Sequence, residues 1–120
     1  MATVLIVDDH ALTVEFIAEQ LHMMGHRSHS VATGEAALAL LGAGDQPDAI
    51  LLSQNIPAQG GIVTAQRMRE RHQYEHAIIA LAAHADDIDI PAGIAAGIDA
   101  WITHPIDITQ FVSTLQRWLS

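Results

Sequence analysis

Short apolar runs alternate along the chain with amphipathic stretches, and the pattern repeats five times. Three of the runs, Thr3–Val7, Ala49–Leu52 and Ala77–Leu81, are almost continuously apolar. Such runs are typical of strands buried on both faces of a sheet. Two weaker runs, Ser28–Val31 and Ala100–Thr103, complete a set of five predicted strands.

Each predicted strand is followed by a stretch with apolar residues at helical spacing. In the first stretch, one helix face carries Leu12, Phe16, Ile17, Leu21 and Met24. The predicted helices are Ala11–Met24, Gly34–Leu41, Ile62–Arg71, Asp86–Ala96 and Asp107–Leu119. Pro91 lies inside the fourth helix, which is therefore either kinked or begins only near Ile90, because proline is tolerated in a first turn. Asp107 is the expected N-cap of the last helix.

Five strand–helix units without hairpin signals indicate a parallel sheet covered by helices on both faces. The chain of 120 residues is therefore predicted to be one doubly wound α/β domain, residues 1–120. Ligands of such folds bind beyond the carboxyl ends of the strands. The loops at those ends carry Asp8-Asp9-His10, Ala32-Thr33, Ser53-Gln54-Asn55, Ala82-Ala83-His84 and Thr103-His104-Pro105.

The charge of the chain limits its partners. Fourteen acidic residues face five arginines and no lysine, which gives a formal charge of −9. This field repels phosphate backbones and anionic lipid, so we expect no direct binding of nucleic acid or membranes. The absence of cysteine excludes disulfides and thiolate metal sites. No apolar run approaches 18 residues and no secretory leader is visible, so we expect a soluble, unprocessed chain.

Four segments resemble the response-regulator receiver domain of two-component signalling, in the family's order and over essentially the whole chain. They are VLIVDDH, PDAILLSQNIPAQGG, AIIALAAHA and AGIDAWITHPID. The resemblance implies a flavodoxin-like (βα)5 fold with strand order 2-1-3-4-5 and a cytoplasmic, bacterial signalling role. It implies as partner a histidine kinase, a response regulator or an adjoining output domain. It also leaves open that the chain is a fragment of a larger multidomain protein.

The resemblance breaks at three positions of the family's phosphorylation site. There, a kinase passes a phosphoryl group to an aspartate after the third strand, assisted by a lysine and a hydroxyl residue. Ser53 stands at the position of the aspartate, Ala82 at that of the hydroxyl residue and His104 at that of the lysine. A serine is a weak nucleophile without a base, alanine has no hydroxyl, and histidine is not a permanent cation. The resemblance thus implies a degenerate site in a regulatory domain that is no enzyme and acts by protein binding.

The family's acidic pair persists as Asp8 and Asp9. With the backbone carbonyl of Asn55, it offers hard oxygen ligands for weak Mg²⁺ binding, although no cofactor is required. The alternative is a solvated acidic patch that caps the first helix.

Two further alternatives involve the same loops. His10, His84 and His104 beside the acidic pair suit a transition metal. The corresponding alternative function is an atypical switch in which metal or pH acts at Asp8, Asp9 and His104. Ser53, His104 and an aspartate are also the residue types of a hydrolase triad. The flanking sequence LLSQN lacks the glycines of a nucleophile elbow, which speaks against the hydrolase.

A protein interface is predicted on the face that the family uses, formed by the fourth helix, fifth strand and fifth helix. Ile94, Trp101 and Ile106 are its main candidates, with Ile90 and Trp118 beside them. Trp101 stands at the family's aromatic switch position, and tryptophan is frequent at interface hot spots. The alternatives are that Trp101 packs under the last helix and that Trp118 belongs to the core.

Overall fold

The computed structural model describes residues 1–56 and 60–119. Strands and helices alternate throughout this part of the chain, as predicted. The strands are β1 (Thr3–Val7), β2 (Arg27–Val31), β3 (Ala49–Ser53), β4 (Ala77–Ala82) and β5 (Ala100–Thr103). The helices are α1 (Ala11–Met23), α2 (Gly34–Gly42), α3 (Gly60–His72), α4 (Ile90–Ala96) and α5 (Ile108–Leu119).

The five strands form one parallel sheet in the order β2-β1-β3-β4-β5, which confirms the predicted fold. The carboxyl ends of the strands meet at one edge of the sheet, here called the crevice edge. The amino ends meet at the opposite edge, here called the N-terminal edge. Because each helix runs back against the strands, helices begin at the crevice edge and end at the N-terminal edge. None of the helices in the described ranges is long and apolar enough to cross a membrane.

Hydrophobic side chains fill a core on each face of the sheet. Alternate strand residues point to opposite faces, so Leu5 and Val7 pack with α2, α3 and α4, whereas Val4 and Ile6 pack with α1 and α5. Strands β3 and β4 are buried along their whole length, as their continuous apolar runs predict. Each fully buried aliphatic side chain stabilises the fold by about 1.5–3 kcal/mol relative to exposure.

The fourth helix begins later than its longest predicted span. A 3-10 turn occupies Ala85–Asp87, and α4 starts only at Ile90. The prediction of a continuous helix from Asp86 is therefore wrong, and the alternative start near Ile90 is confirmed. Pro91 stands in the first turn, where its missing N–H has no intrahelical acceptor to lose. The Asp89 carboxylate caps the helix by accepting the Ala92 N–H at 3.1 Å.

The caps of α1 and α5 differ in how well the sequence predicts them. Asp107 accepts the Gln110 N–H at 3.1 Å, as expected of an N-cap. At α1, the cap is His10, whose Nδ1 accepts the Thr13 N–H at 3.3 Å. The prediction that the acidic pair caps α1 is therefore wrong: the His10 imidazole accepts the Thr13 backbone N–H of the first turn instead.

The N-terminal edge is held by the guanidinium of Arg69 in α3. Its Nε and Nη2 donate to the Gly97 carbonyl at 3.1 and 2.8 Å. Nη1 donates to the carbonyls of Tyr74 and His76, and Nη2 also meets the Asp99 carboxylate at 2.9 Å. One side chain thus connects the end of α3, the end of α4 and the segment entering β4.

Two neighbours extend this arrangement. The Asp99 carboxylate accepts the Ile78 N–H at 3.0 Å, and the buried Tyr74 hydroxyl donates to the Pro47 carbonyl at 2.8 Å. Burial raises the pKa of Tyr74 above its ordinary value, and this effect outweighs the opposite effect of the nearby Arg69 charge.

Candidate functional site

A cavity of about 260 Å³ opens at the crevice edge between the ends of β1, β3 and β5. It brings together most of the side chains predicted for the site. Its walls are formed by Asp8, Asp9, His10, Thr13, Ser53, Asn55, Leu81, Ala83 and His104. Ala82, the last residue of β4, is fully buried and does not line it.

The two residues of the acidic pair, which follow β1 directly, differ in how deeply they are buried. Asp8 is only 7% exposed, and its Oδ1 accepts a hydrogen bond from the backbone N–H of His10 at 2.9 Å. The Asp8 N–H donates to the Val31 carbonyl at 3.1 Å, which ties the loop to β2. Asp9 is exposed to solvent. Two carboxylates and the oxygens of Asn55 in one cavity fit a hard cation such as Mg²⁺, but with only two formal negative charges.

Ser53 ends β3 and is 8% exposed. Its Oγ accepts the Asn55 N–H at 3.3 Å. Within the described residues, no hydrogen bond joins this hydroxyl to an imidazole, so nothing here activates it as a nucleophile. Gly61 lets α3 approach the loop, because a Cβ there would lie 2.6 Å from the Ser53 carbonyl oxygen.

His104 follows β5 and precedes Pro105 through a cis peptide bond. The backbone N–H of His104 donates to the Ala82 carbonyl at 3.0 Å. The residue lines the crevice and also a second cavity of about 280 Å³ beside α1, together with Leu12, Phe16 and Ile106. The imidazole thus stands between an acidic space and an apolar one.

The second cavity corrects one expectation and shows the position of one predicted interface residue. Leu12 was predicted on the buried face of α1, yet it is 71% exposed. Ile106, predicted for the interface, is half-buried against the α1–α5 core. No sequence pattern predicts this second cavity, because its apolar residues come from elements far apart in the chain.

The predicted set of metal-binding histidines does not assemble. His84 is exposed at the start of the 3-10 turn and does not line the crevice. In the part of the chain that the structure describes, no three His, Asp or Glu side chains are arranged to hold a metal ion. Of the loop after β4, Ala83 lines the cavity and the next residue, His84, does not, a difference that spacing along the sequence cannot predict.

Trp101 lies half-buried in β5 and packs against the core formed by α2, α3 and α4. It therefore lies under α4, and the alternative of packing under the last helix is wrong. A Cβ at Gly93 would come within 2.4 Å of its Cζ2, so the indole occupies a notch that a glycine opens in α4. The indole N–H is buried without a hydrogen-bond partner among the described residues.

The other interface candidates divide between surface and core. Ile90 and Ile94 on α4 are 52% and 62% exposed. Trp118 is half-buried against the α1–α5 core, in agreement with its amphipathic position. Of the predicted interface residues, Ile90 and Ile94 are thus the most exposed to solvent.

A doubly wound sheet with an acidic pair at its crevice edge defines an α/β domain of the receiver type. The model of the response regulator receiver domain family matches residues 4–116. The chain belongs to this family, whose members are signalling domains of two-component systems and not enzymes.

Among curated proteins, the chain is 31% identical over 119 residues to the transcriptional regulatory protein CpxR of Klebsiella pneumoniae, covering 99% of this chain and 50% of that protein. It is 26% identical to the polar-differentiation response regulator DivK of Brucella ovis, covering 98% and 95%. The chain thus spans about half the length of several of the transcriptional regulators that it matches.

Two solved structures are similar over their whole length. The chemotaxis response regulator CheY4 of Vibrio cholerae has a TM-score of 0.88 and 28% identity, covering 99% of both chains. The receiver domain of the sensor histidine kinase PA1611 of Pseudomonas aeruginosa has a TM-score of 0.85 and 28% identity, covering 98% of this chain and 97% of that one. That structure contains a magnesium ion in its active-site cleft.

Proposed function

We propose that this chain is a phosphorylation-independent receiver domain that regulates two-component signalling by binding another protein. The observation that carries the proposal is the residue set at the ends of three strands. Ser53 replaces a carboxylate nucleophile at the end of β3, Ala82 replaces a hydroxyl at the end of β4, and His104 replaces a lysine directly after β5. Each change removes a different part of the family's phosphoryl chemistry.

The crevice also lacks the charge balance that phosphoryl transfer needs. Such transfer depends on electrostatic stabilisation by metal ions and cationic side chains. The sequence contains no lysine, and all five arginines lie away from the crevice, at the start of β2 and in the C-terminal halves of α3 and α5. This supports a domain whose state does not depend on a bound phosphoryl group.

Magnesium binding is proposed as weak and residual. Asp8, Asp9 and the Asn55 carbonyl are the oxygens that would hold the ion, and the magnesium seen in the PA1611 receiver domain supports this position. Mg²⁺ needs near-octahedral oxygen coordination, and the loss of the third carboxylate at Ser53 reduces the affinity.

The partner is proposed to be a histidine kinase, another response regulator or an adjoining output domain, in the cytoplasm. This proposal is supported by the different proteins that contain a similar segment. They include a transcriptional regulator of about twice the length of this chain and a hybrid histidine kinase of Dictyostelium discoideum, of which the chain covers 7%. Ile94 on α4, with Trp101 fixed beneath that helix, is the proposed centre of the interface. Because the indole of Trp101 is held in the notch at Gly93, we propose that the α4 surface above it has a single conformation.

Amide NMR spectra recorded with Mg²⁺ and beryllofluoride test this proposal. We expect no beryllofluoride-dependent shifts around Ser53, His104 and Trp101 in the natural protein. The matched control is the triple variant Ser53→Asp, Ala82→Thr, His104→Lys, which restores the three family residue types and should respond. A response of the natural protein comparable to that of the triple variant would overturn the proposal.

One observation favours a second candidate, a pH-responsive switch. His104 lines both the acidic crevice and the apolar cavity beside α1, so its protonation would change the charge in both. The same spectra recorded below and above neutral pH would then show a transition that reaches Leu12 and Phe16. His104→Ala should remove it, and a transition that survives this change would belong to another histidine.

A further inference from the structure

The charged side chains are divided unequally between the two edges of the sheet. The N-terminal edge holds all five arginines and five carboxylates: Asp45, Asp48, Glu70, Glu75 and Asp99. The crevice edge holds no arginine and seven carboxylates: Asp8, Asp9, Glu35, Asp86, Asp87, Asp89 and Asp107. The residues outside the described ranges are uncharged. Seven of the nine net negative charges therefore lie at the crevice edge, and Glu15 and Glu19 of α1 account for the other two.

Part of this charge has a structural role. The Asp89 and Asp107 carboxylates cap α4 and α5, and helix N-termini each carry a partial positive charge of about half an elementary charge. Asp86 and Asp87 have exposed side chains, and neither makes a side-chain hydrogen bond or ion pair within the described residues. Among the described residues, Asp87 is engaged only through its backbone: its N–H donates to the His84 carbonyl at 3.0 Å, and its carbonyl accepts from the Gln54 side-chain amide at 3.0 Å. These two carboxylates are available to a partner.

An exposed apolar stripe begins next to these carboxylates. Ile90 and Ile94 lie one helical turn apart on α4, so they share a face of the helix, and both are more than half exposed. We call the surface made of Asp86, Asp87, Asp89, Ile90 and Ile94 the α4 face. It combines exposed apolar side chains with negative charge, so a partner must offer both apolar side chains and positive charge.

We propose that the α4 face binds a lysine- or arginine-rich amphipathic segment of a different protein. The apolar side chains of that segment cover Ile90 and Ile94, and its cations pair with Asp86 and Asp87. Charge complementarity of this kind increases association rates and excludes wrong partners. The inference rests on the proposed function, since it names the chemistry of the partner that such a docking domain requires.

Charge also argues against a second copy of this chain as the occupant. A symmetric dimer through the α4 face would bring the same carboxylates together from both protomers. The chain has no lysine to place between them, and its arginines lie at the opposite edge. Nucleic acid is excluded for the same electrostatic reason.

Peptide binding to the full chain, followed by amide NMR and fluorescence anisotropy, tests the inference. The probe is a synthetic amphipathic helix of leucine and lysine, and its matched control replaces each lysine with glutamate. We expect binding of the lysine peptide only, with shifts centred on residues 86–94. Asp86→Asn with Asp87→Asn should weaken it at least tenfold, and so should Ile94→Ser alone.

Two matched variants separate specific docking from general attraction to an acidic protein. Glu70→Gln with Glu75→Gln removes two charges at the N-terminal edge, and Met23→Ser removes an equally exposed apolar side chain on α1. Both should leave binding unchanged. Equal losses in all variants, shifts spread over the crevice edge, or a sedimenting dimer that Ile94→Ser dissociates would overturn the inference. None of these outcomes bears on the beryllofluoride experiment, so the two proposals fail separately.

Discussion

The two edges of the sheet differ in how far their polar contacts reach along the chain. At the N-terminal edge, hydrogen bonds join residues far apart in sequence, such as Arg69 to Gly97 and Tyr74 to Pro47. At the crevice edge, side-chain bonds are mostly local, such as those from the Asp8 carboxylate to the His10 N–H and from Ser53 Oγ to the Asn55 N–H. Polar side chains at the first edge connect separate elements, whereas those at the second, apart from Gln54, shape single loops. The fold is therefore held at the edge that does not carry the candidate site.

The largest effect is expected from Arg69→Ala. The change leaves the carbonyls of Gly97, Tyr74 and His76 without their charged donor, and we expect a loss of about 2–4 kcal/mol in the free energy of unfolding. Urea denaturation measures it. Arg69→Lys is the matched control, and it should lose less, because a lysine keeps the charge but not the planar fork of donors. A loss below about 1 kcal/mol for Arg69→Ala would remove the contrast between the edges.

A smaller effect is expected from Tyr74→Phe, which removes the buried bond to the Pro47 carbonyl and should cost about 1–2 kcal/mol. Burial raises the folded-state pKa of Tyr74 above its ordinary value of 10.0. The stability that the neutral phenol provides is therefore fully present below pH 10 and is lost as the pH rises above it. Urea titrations on both sides of pH 10 should show a steeper loss for the natural protein than for Tyr74→Phe. Parallel curves would contradict this assignment.

The smallest effect is expected at the crevice edge. Ser53→Ala removes one local acceptor, and the Asn55 backbone N–H can then donate to water. The loss in the free energy of unfolding should therefore be at most about 1 kcal/mol. Exposed Ser113→Ala on α5 is the control for the substitution itself. A loss at Ser53 as large as that for Arg69→Ala would mean that both edges hold the fold.

The fold could be predicted almost completely from the sequence. Buried parallel strands are continuous apolar runs, as at Ala77–Ala82, and five strand–helix repeats leave few topologies. The start of α4 was ambiguous because Pro91 permits a first turn as well as a kink.

The site was less predictable than the fold. Loop order placed Asp8, Ser53 and His104 together, because parallel strands end at one edge. Sequence could not show that His84 turns away, since the direction of a loop depends on tertiary contacts. It also could not show the Gly93 notch, which exists only because α4 crosses above Trp101.

The division of charge between the edges also makes the domain an electric dipole along the direction of its strands. A cationic protein that approaches from solution meets this field before it makes any contact. The field therefore orients the domain so that its crevice edge and α4 point toward the approaching protein. At an ionic strength of about 0.15 M the field decays over about 8 Å. Encounters should therefore be correctly oriented more often in dilute salt, and the gain should appear in the association rate and leave the dissociation rate almost unchanged.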